Sequence, residues 1–310
     1  MAEADVTRVR VAVDGRELSI SNLTKPLYPE PDAEGDPFTK GDVIDYYARI
    51  ADVMVPHLAG RCITLKRYPN GTDQQGFFEK RCPGHRPSWV GVAEGPGDRN
   101  GTVDYCRIEE RAALVWAANM AALELHVPMA RSADLDSPTM VVFDLDPGPP
   151  ATIVECSRVA VWAQEVLGAV GLAAYPKTSG SKGMQLYVPL NTPCTHERAS
   201  DFALAVGQVL ERQHPDAVLT TMTKAQRPRK VFVDWSQNSR HKTTIGSYSL
   251  RARPRPTVST PITWDEVSDC ADGAAALVFE TADVVRRVEE MGDLFADTET
   301  LEQELPAFGV

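Results

Sequence analysis

The sequence predicts a mixed α+β protein with two lobes, and three observations predict it. Apolar runs of strand length alternate with amphipathic stretches of helix length. The 310 residues, 43% hydrophobic and 24% charged, suffice for a large core and are ordinary for a globular chain. No internal repeat or low-complexity linker divides them. Membrane and secretory classes find no support. No apolar run approaches the roughly 20 residues of a spanning helix, and the acidic start Met-Ala-Glu-Ala-Asp lacks a signal-peptide core. Six scattered cysteines (62, 82, 106, 156, 194, 270) without a Cys-x-x-Cys pair argue against a zinc site or disulfide framework. They point to a reducing, cytoplasmic setting.

The elements follow in order. Val9 to Ile20 alternates around Asp14-Gly15 and reads as a β-hairpin. Thr39, with Asp42 three residues on, caps a helix that carries Val43, Ile44, Tyr47, Ile50 and Met54 on one face. Ile63 to Tyr68, Phe77 to Lys80 and the region of Val103 to Ile108 read as strands. Arg111 to Leu125, rich in Ala, Leu and Trp, reads as one helix ending at His126-Val127-Pro128. Met140-Val141-Val142 opens a buried strand that runs into Phe143-Asp144-Leu145-Asp146 and stops at Pro147-Gly148. Thr152 to Val170 and Arg198 to Gln213 read as helices, and Met184 to Val188, Val231 to Asp234 and Thr243 to Leu250 as strands. Helix returns around Asp283 to Glu290.

Charge is unevenly placed. Residues 265–310 hold 13 acidic and 2 basic side chains, which accounts for the whole net charge of −11. From Lys224 to Arg255 there are nine Lys and Arg against one acid, Asp234. A solvated face explains short charge runs, but one this long and one-signed suits a phosphate-binding surface.

Chemistry gathers at a few places. Strand alternation turns Asp144 and Asp146 the same way, so either a divalent cation sits between them or they form an acidic turn. Asp234 ends a second apolar strand and is either a third ligand of a two-metal cradle or a turn cap. Thr178 to Gly183 is a Ser/Gly loop with one lysine, a phosphate cradle or a plain turn, without P-loop spacing. Adjacent Phe77 and Phe78 face opposite sides of a strand, so one can be core while the other stacks a base.

Eight motifs in one order carry a resemblance. They are Lys-Pro-Leu-Tyr-Pro from Lys25, Lys-Arg-Tyr-Pro-Asn-Gly from Lys66, Gly-Phe-Phe-Glu-Lys from Gly76, and Glu-Leu-His-Val-Pro from Glu124. Then follow Phe-Asp-Leu-Asp-Pro-Gly from Phe143, Thr-Ser-Gly-Ser-Lys-Gly from Thr178, Lys-Val-Phe-Val-Asp-Trp-Ser-Gln-Asn from Lys230, and Thr-Thr-Ile-x-x-Tyr-Ser-Leu-Arg from Thr243. Together they resemble the polymerase domain of bacterial ligase D, of the archaeo-eukaryotic primase superfamily, from about Leu23 to about Trp264. The resemblance implies a primase-type catalytic core over 1–264, followed by an acidic helical end over 265–310 packed on or following that domain. The chain length, without ligase or nuclease modules, suggests a stand-alone primase-polymerase of the kind found beside ligase C.

By the same resemblance, Asp144, Asp146 and Asp234 are the catalytic carboxylates and hold two Mn²⁺ or Mg²⁺ ions. Lys66, His126, Ser179, Lys182, Gln185, Gln237 and Arg251 contact the nucleoside triphosphate. Phe77 and Phe78 lie near the template base, Arg227 arranges the template end, and Lys25 and Lys40 take the 5′-phosphate of a downstream strand at a gap or break. Gap filling in DNA repair with a preference for ribonucleotides is the implied activity. An ATP-dependent DNA ligase and Ku are the implied partners, and the nucleoid the implied location. The pattern breaks at Gln185, where relatives usually carry His; glutamine donates a neutral hydrogen bond but cannot become a cation, so altered triphosphate affinity is expected. Two alternatives remain. A haloacid dehalogenase-type phosphatase also ends an apolar strand in Asp-x-Asp, and a non-catalytic DNA-end-binding module would share the basic segment.

Overall fold

The computed structural model describes residues 8–31, 35–97 and 101–306. The chain forms two compact units. Residues up to Val127, with Tyr248–Val258 and Glu280–Gly292, make the first; Pro128–Ser247, Ser259–Phe279 and the residues from Asp293 make the second. The acidic stretch 265–310 therefore contributes to both. Among the described residues, no helix is long and apolar enough to cross a membrane.

In the first unit, Arg8–Val13 and Arg16–Ser21 pair antiparallel about Asp14 and Gly15, whose φ of 46° and 79° is what a tight two-residue turn demands. Helix Lys40–Leu58 starts at the expected capping box, Thr39 with Asp42, and buries Val43, Ile44, Tyr47, Ile50 and Met54. Strand Thr64–Arg67 pairs antiparallel with Phe77–Glu79 and with Ala122–Pro128. Lys66 stands opposite both Phe78 and Glu124, and Thr64 opposite His126. Alternation therefore puts Lys66, Phe78, Glu124 and His126 on one face.

That strand corrects the single helix expected over Arg111 to Leu125. The helix is Arg111–Asn119, and Ala121 leaves it at φ 56°, a value costly for a side chain with a Cβ. Ala122–Pro128 then pairs with a strand more than fifty residues earlier. The expected strand from Thr243 to Leu250 is also shorter, Thr243–Ile245, and Tyr248 at φ 66° bends the chain after it. Cys82 and Cys106 form a disulfide, against the expectation of none. The Cys82 amide already donates to the Asp104 carbonyl at 2.7 Å, so the fold itself brings the pair together.

The second unit is built on a five-stranded sheet in the order Tyr175–Thr178, Met184–Pro189, Met140–Pro147, Val231–Asp234, Val218–Leu219. All neighbours are antiparallel except the last pair. Val141, Phe143, Leu145, Leu186 and Val233 point to one face, where residues of helices Ile153–Ala169 and His196–Gln213 complete the core. Met140, Val142 and Tyr187 point to the other and pack on Phe295. Asp144 and Asp146 continue this second face.

Candidate active site

Sheet register assembles the acidic site in the second unit. Lys177 lies opposite Gln185, Gln185 opposite Asp144, and Asp144 opposite Asp234, so four polar residues form one row across four strands. Asp146 stands two residues along from Asp144 on the same face. Asp144 is pushed up to about 7, first by burial and then by Asp146, while the Gln185 hydrogen bond opposes the rise; Asp234 raises it further. Asp146 is pushed up as well, by burial and by Asp234. Crowded carboxylates that resist ionising together are a set short of positive charge.

Asp144 and Asp234 accept hydrogen bonds from neutral donors. Gln185 Nε2 donates to Asp144 Oδ1 at 3.1 Å and Gln237 Nε2 to Oδ2 at 3.3 Å. Asp234 Oδ1 accepts from the Ser236 amide at 3.0 Å and its hydroxyl at 2.6 Å, capping the turn Trp235–Asn238. Among the described residues no three His, Cys, Asp or Glu side chains already close on one point. The donor set nevertheless fits a hard divalent cation: three carboxylates gather on one sheet face, and Asp144 and Asp146, raised by burial and neighbouring acids, would give up protons to it. Gln237 Oε1 is buried with no hydrogen-bond partner, an acceptor left over in the same place.

Two glycines hold the neighbouring loops close. A Cβ on Gly183 would meet the Leu145 carbonyl at 2.3 Å, so only glycine lets the Thr178–Gly183 loop lie against the Asp-x-Asp strand. A Cβ on Gly148 would meet the Arg227 carbonyl at 1.9 Å, which fixes the Arg227 loop there. Within the first loop, Ser179 Oγ accepts from the Ser181 and Gly183 amides at 3.3 and 3.2 Å. Asp146, Gly148, Pro149, Lys182, Lys224 and Arg227 line a cleft of about 330 Å³. Its three cations beside one acid suit a phosphate chain. The Arg227 guanidinium rests on the Phe232 ring at 3.8 Å.

The first unit holds the other expected residues, in two groups. Lys66, His126 and Arg251 meet on a residue that the sequence reading did not single out, Glu124. Leu123-Glu124-Leu125-His126-Val127 alternates with strand period, and that signal was masked by the helix-forming run before it. Burial would push Glu124 up; the hydrogen bond with His126, the charges of Arg251 and His126, and the Ala252 amide overcome it and hold it at about 2. His126 is held below its ordinary value, mainly by burial, so at neutral pH the fixed positive charges here are Arg251 and Lys66.

Lys25 and Lys40 form the second group. The Lys40 amide donates to the Lys25 carbonyl at 2.8 Å, and among the described residues their ammonium groups donate to Asn70 and Ser21. Lys40 is pushed down to about 8 by burial and by the charges of Lys25 and Arg67, a cationic cluster suited to an anion. Phe77 and Phe78 are both exposed, at 45% and 59%, so neither takes the core position that alternation left open to one of them. Phe77 lies under Arg67, and Phe78 meets His126 edge-on at 5.3 Å.

Comparisons agree with this architecture. Residues 39–295 match the family model described as LigD, primase-polymerase domain. The chain is 46% identical over 281 residues to the multifunctional non-homologous end joining protein LigD of Mycolicibacterium smegmatis, covering 90% of this chain and 36% of that protein. It is 30% identical over 282 residues to the bifunctional LigD of Bacillus subtilis, covering 91% and 44%. The chain thus spans less than half the length of these relatives. The polymerase domain of Mycobacterium tuberculosis ligase D, solved in complex with DNA, superposes with a TM-score of 0.84 at 41% identity, over 92% of this chain and 99% of that one. The antiparallel neighbours on both sides of the Asp144 strand exclude the parallel doubly wound sheet of the phosphatase alternative. The chain belongs to the LigD primase-polymerase domain family, whose members are DNA-directed nucleotidyltransferases.

Proposed function

We propose that the chain is a template-dependent primase-polymerase that fills short gaps during DNA repair, incorporating ribonucleotides in preference to deoxyribonucleotides. The observation that carries it is the register placing Asp144 opposite Asp234 with Asp146 on the same face, three carboxylates short of positive charge. These three would hold two Mg²⁺ or Mn²⁺ ions, which when bound supply activation of a primer 3′-hydroxyl and charge stabilisation of the departing pyrophosphate. Around them, Lys182, Lys224 and Arg227 offer the phosphates a cationic wall, and the spare Gln237 Oε1 offers a sugar hydroxyl an acceptor. Ser179 organises its own loop. Gln185 orients Asp144, so its amide meets the triphosphate only as a neutral donor.

In the other set, Lys66, His126 and Arg251 bind the nucleotide, Phe77 and Phe78 stack the template base, and Lys25 with Lys40 recognises a downstream 5′-phosphate. An ATP-dependent DNA ligase that seals the filled gap and a Ku-type end binder are the partners this chemistry calls for, at the nucleoid. Extension of a gapped, 5′-phosphorylated duplex tests the proposal. Asp144→Ala is expected to reduce incorporation by more than about a thousandfold while DNA binding persists. Extension at the wild-type rate by this variant would refute the assignment.

A further inference from the structure

Glu124 is almost wholly buried, at 2% exposure, on strand Ala122–Pro128. Its two oxygens are divided between partners from three segments. Oε2 takes Lys66 Nζ at 3.4 Å from strand Thr64–Arg67 and His126 Nε2 at 2.9 Å from its own strand. Oε1 accepts the Ala252 amide at 3.0 Å and forms an ion pair, without a hydrogen bond, with Arg251 Nε at 3.5 Å, both from the segment Tyr248–Val258. Lys66 and Arg251 keep a fifth of their side-chain surface open, so each has one side on Glu124 and one side free for a ligand.

We propose that Glu124 is a positioning residue that fixes Lys66, His126 and Arg251 as a single nucleotide-binding set. The proposal rests on the reading of those three as nucleotide contacts. Without the carboxylate, two cations on flexible stems face each other with nothing between them, and repulsion spreads their rotamers. With it, both are drawn to one point before the ligand arrives, which lowers the ordering cost of binding. Glu124 also decides the histidine. A carboxylate accepts only, so the neutral ring must carry its proton on Nε2, leaving Nδ1 as an acceptor. The charged groups facing the ring are Glu124, Arg251 and Lys66, and the Phe78 ring meets it edge-on.

The test uses Glu124→Gln and Glu124→Asp in the full chain, with nucleoside triphosphate affinity measured directly by titration and through KM during gap extension. Glu124→Gln keeps the shape and removes the charge. It is expected to weaken nucleotide binding and raise KM by about tenfold or more, with kcat changed by less than about threefold. Glu124→Asp keeps the charge on a shorter stem and is expected to fall between the two. The His126 imidazole, followed by NMR, should titrate at lower pH in Glu124→Gln than in the wild type, because the only opposing charge is gone.

Unchanged affinity in both variants would overturn the proposal, as would a fall in kcat with KM untouched. If Glu124→Gln fails to fold, Glu124→Asp with normal melting decides alone: raised KM supports the proposal and wild-type KM sinks it. Wild-type protein that binds nucleotide without extending a primer would refute the polymerase reading and leave the affinity comparison to judge Glu124. Wild-type protein that binds no nucleotide would overturn both.

Discussion

Asp144 and Glu124 are the same functional group in the same kind of place, and they are perturbed in opposite directions. Each is a carboxylate on an inner strand, Glu124 buried and Asp144 half-buried. Asp144 is pushed up to about 7 among two other acids and two glutamine amides, while Glu124 is held at about 2 between cations. Burial raises both, so burial does not separate them. The difference lies in what the partner strands deliver at the opposing position: an acid and an amide to Asp144, a lysine to Glu124. The acidic row sets one lysine, Lys177, against its crowded carboxylates, and Asp144 stays raised despite it. The Glu124 group already contains its counter-charge and is arranged to present the excess. A polymerase needs both, a place for metal ions and a place for phosphates.

Stability should register that contrast most strongly. Glu124→Gln is expected to cost on the order of 3 kcal/mol at pH 7, since the folded carboxyl sits well below its unfolded value. The sign follows from the depressed value: the wild-type contribution is present above about pH 4.5 and is lost as pH falls toward 2. The variant should therefore differ from wild type at pH 7 and converge with it near pH 2. Asp144→Asn should do the opposite and hold or raise stability at pH 7, because it removes one of three repelling charges. Urea denaturation of both variants at pH 7 checks the pair. A loss in Asp144→Asn as large as in Glu124→Gln would mean that Asp144 is already paired and that the two carboxylates are alike.

How much of this was legible depended on how local each signal was. The capping box of Thr39 and Asp42 and the shared face of Asp144 and Asp146 are encoded by spacings of three and two residues, and both stand as the sequence implied. Asp234 could be read as a strand end but not as the residue opposite Asp144, because register between strands some ninety residues apart is set by packing. Glu124 was hidden for the same reason. Its strand follows a helix-forming run without a break in composition, and only pairing with Thr64–Arg67 ends that helix. The Cys82–Cys106 bond joins positions 24 apart that no spacing rule connects. Phe77 and Phe78 lie on opposite faces of the sheet-end strand Phe77–Glu79, and both are exposed, which alternation alone does not tell.

The Lys25 and Lys40 pair extends the comparison to a third group, one with positive charge and, among the described residues, no carboxylate in its hydrogen bonds. If its excess charge serves a 5′-phosphate, a phosphorylated gap should bind about tenfold better than the same gap ending in a hydroxyl, at fixed salt. Lys25→Ala or Lys40→Ala should abolish the difference. Lys40 sits at about 8, so it is charged below that pH and discharges above it; the preference should fade as pH rises from 7 to 9. Fluorescence anisotropy on the two duplexes reads this directly. Equal affinity of the wild type for both ends would leave the cluster without its assigned role.

The smallest effect distinguishes the two aromatic rings. Phe78 shares its face with Lys66, Glu124 and His126, while register places Phe77 opposite Arg67, the next residue along, and so on the reverse face. Phe78 is thus the ring that a base reaching the phosphate-binding group would meet. Phe78→Ala should weaken binding of a template overhang by about 1 kcal/mol, roughly fivefold, with little change in melting temperature because the ring is 59% exposed. Phe77→Ala should act less on the overhang and more on Arg67, whose guanidinium loses the ring it rests on. Equal losses from the two substitutions would show that both faces of the strand touch the template, and the division of labour argued from the Lys66–Glu124 face would fail at its edge.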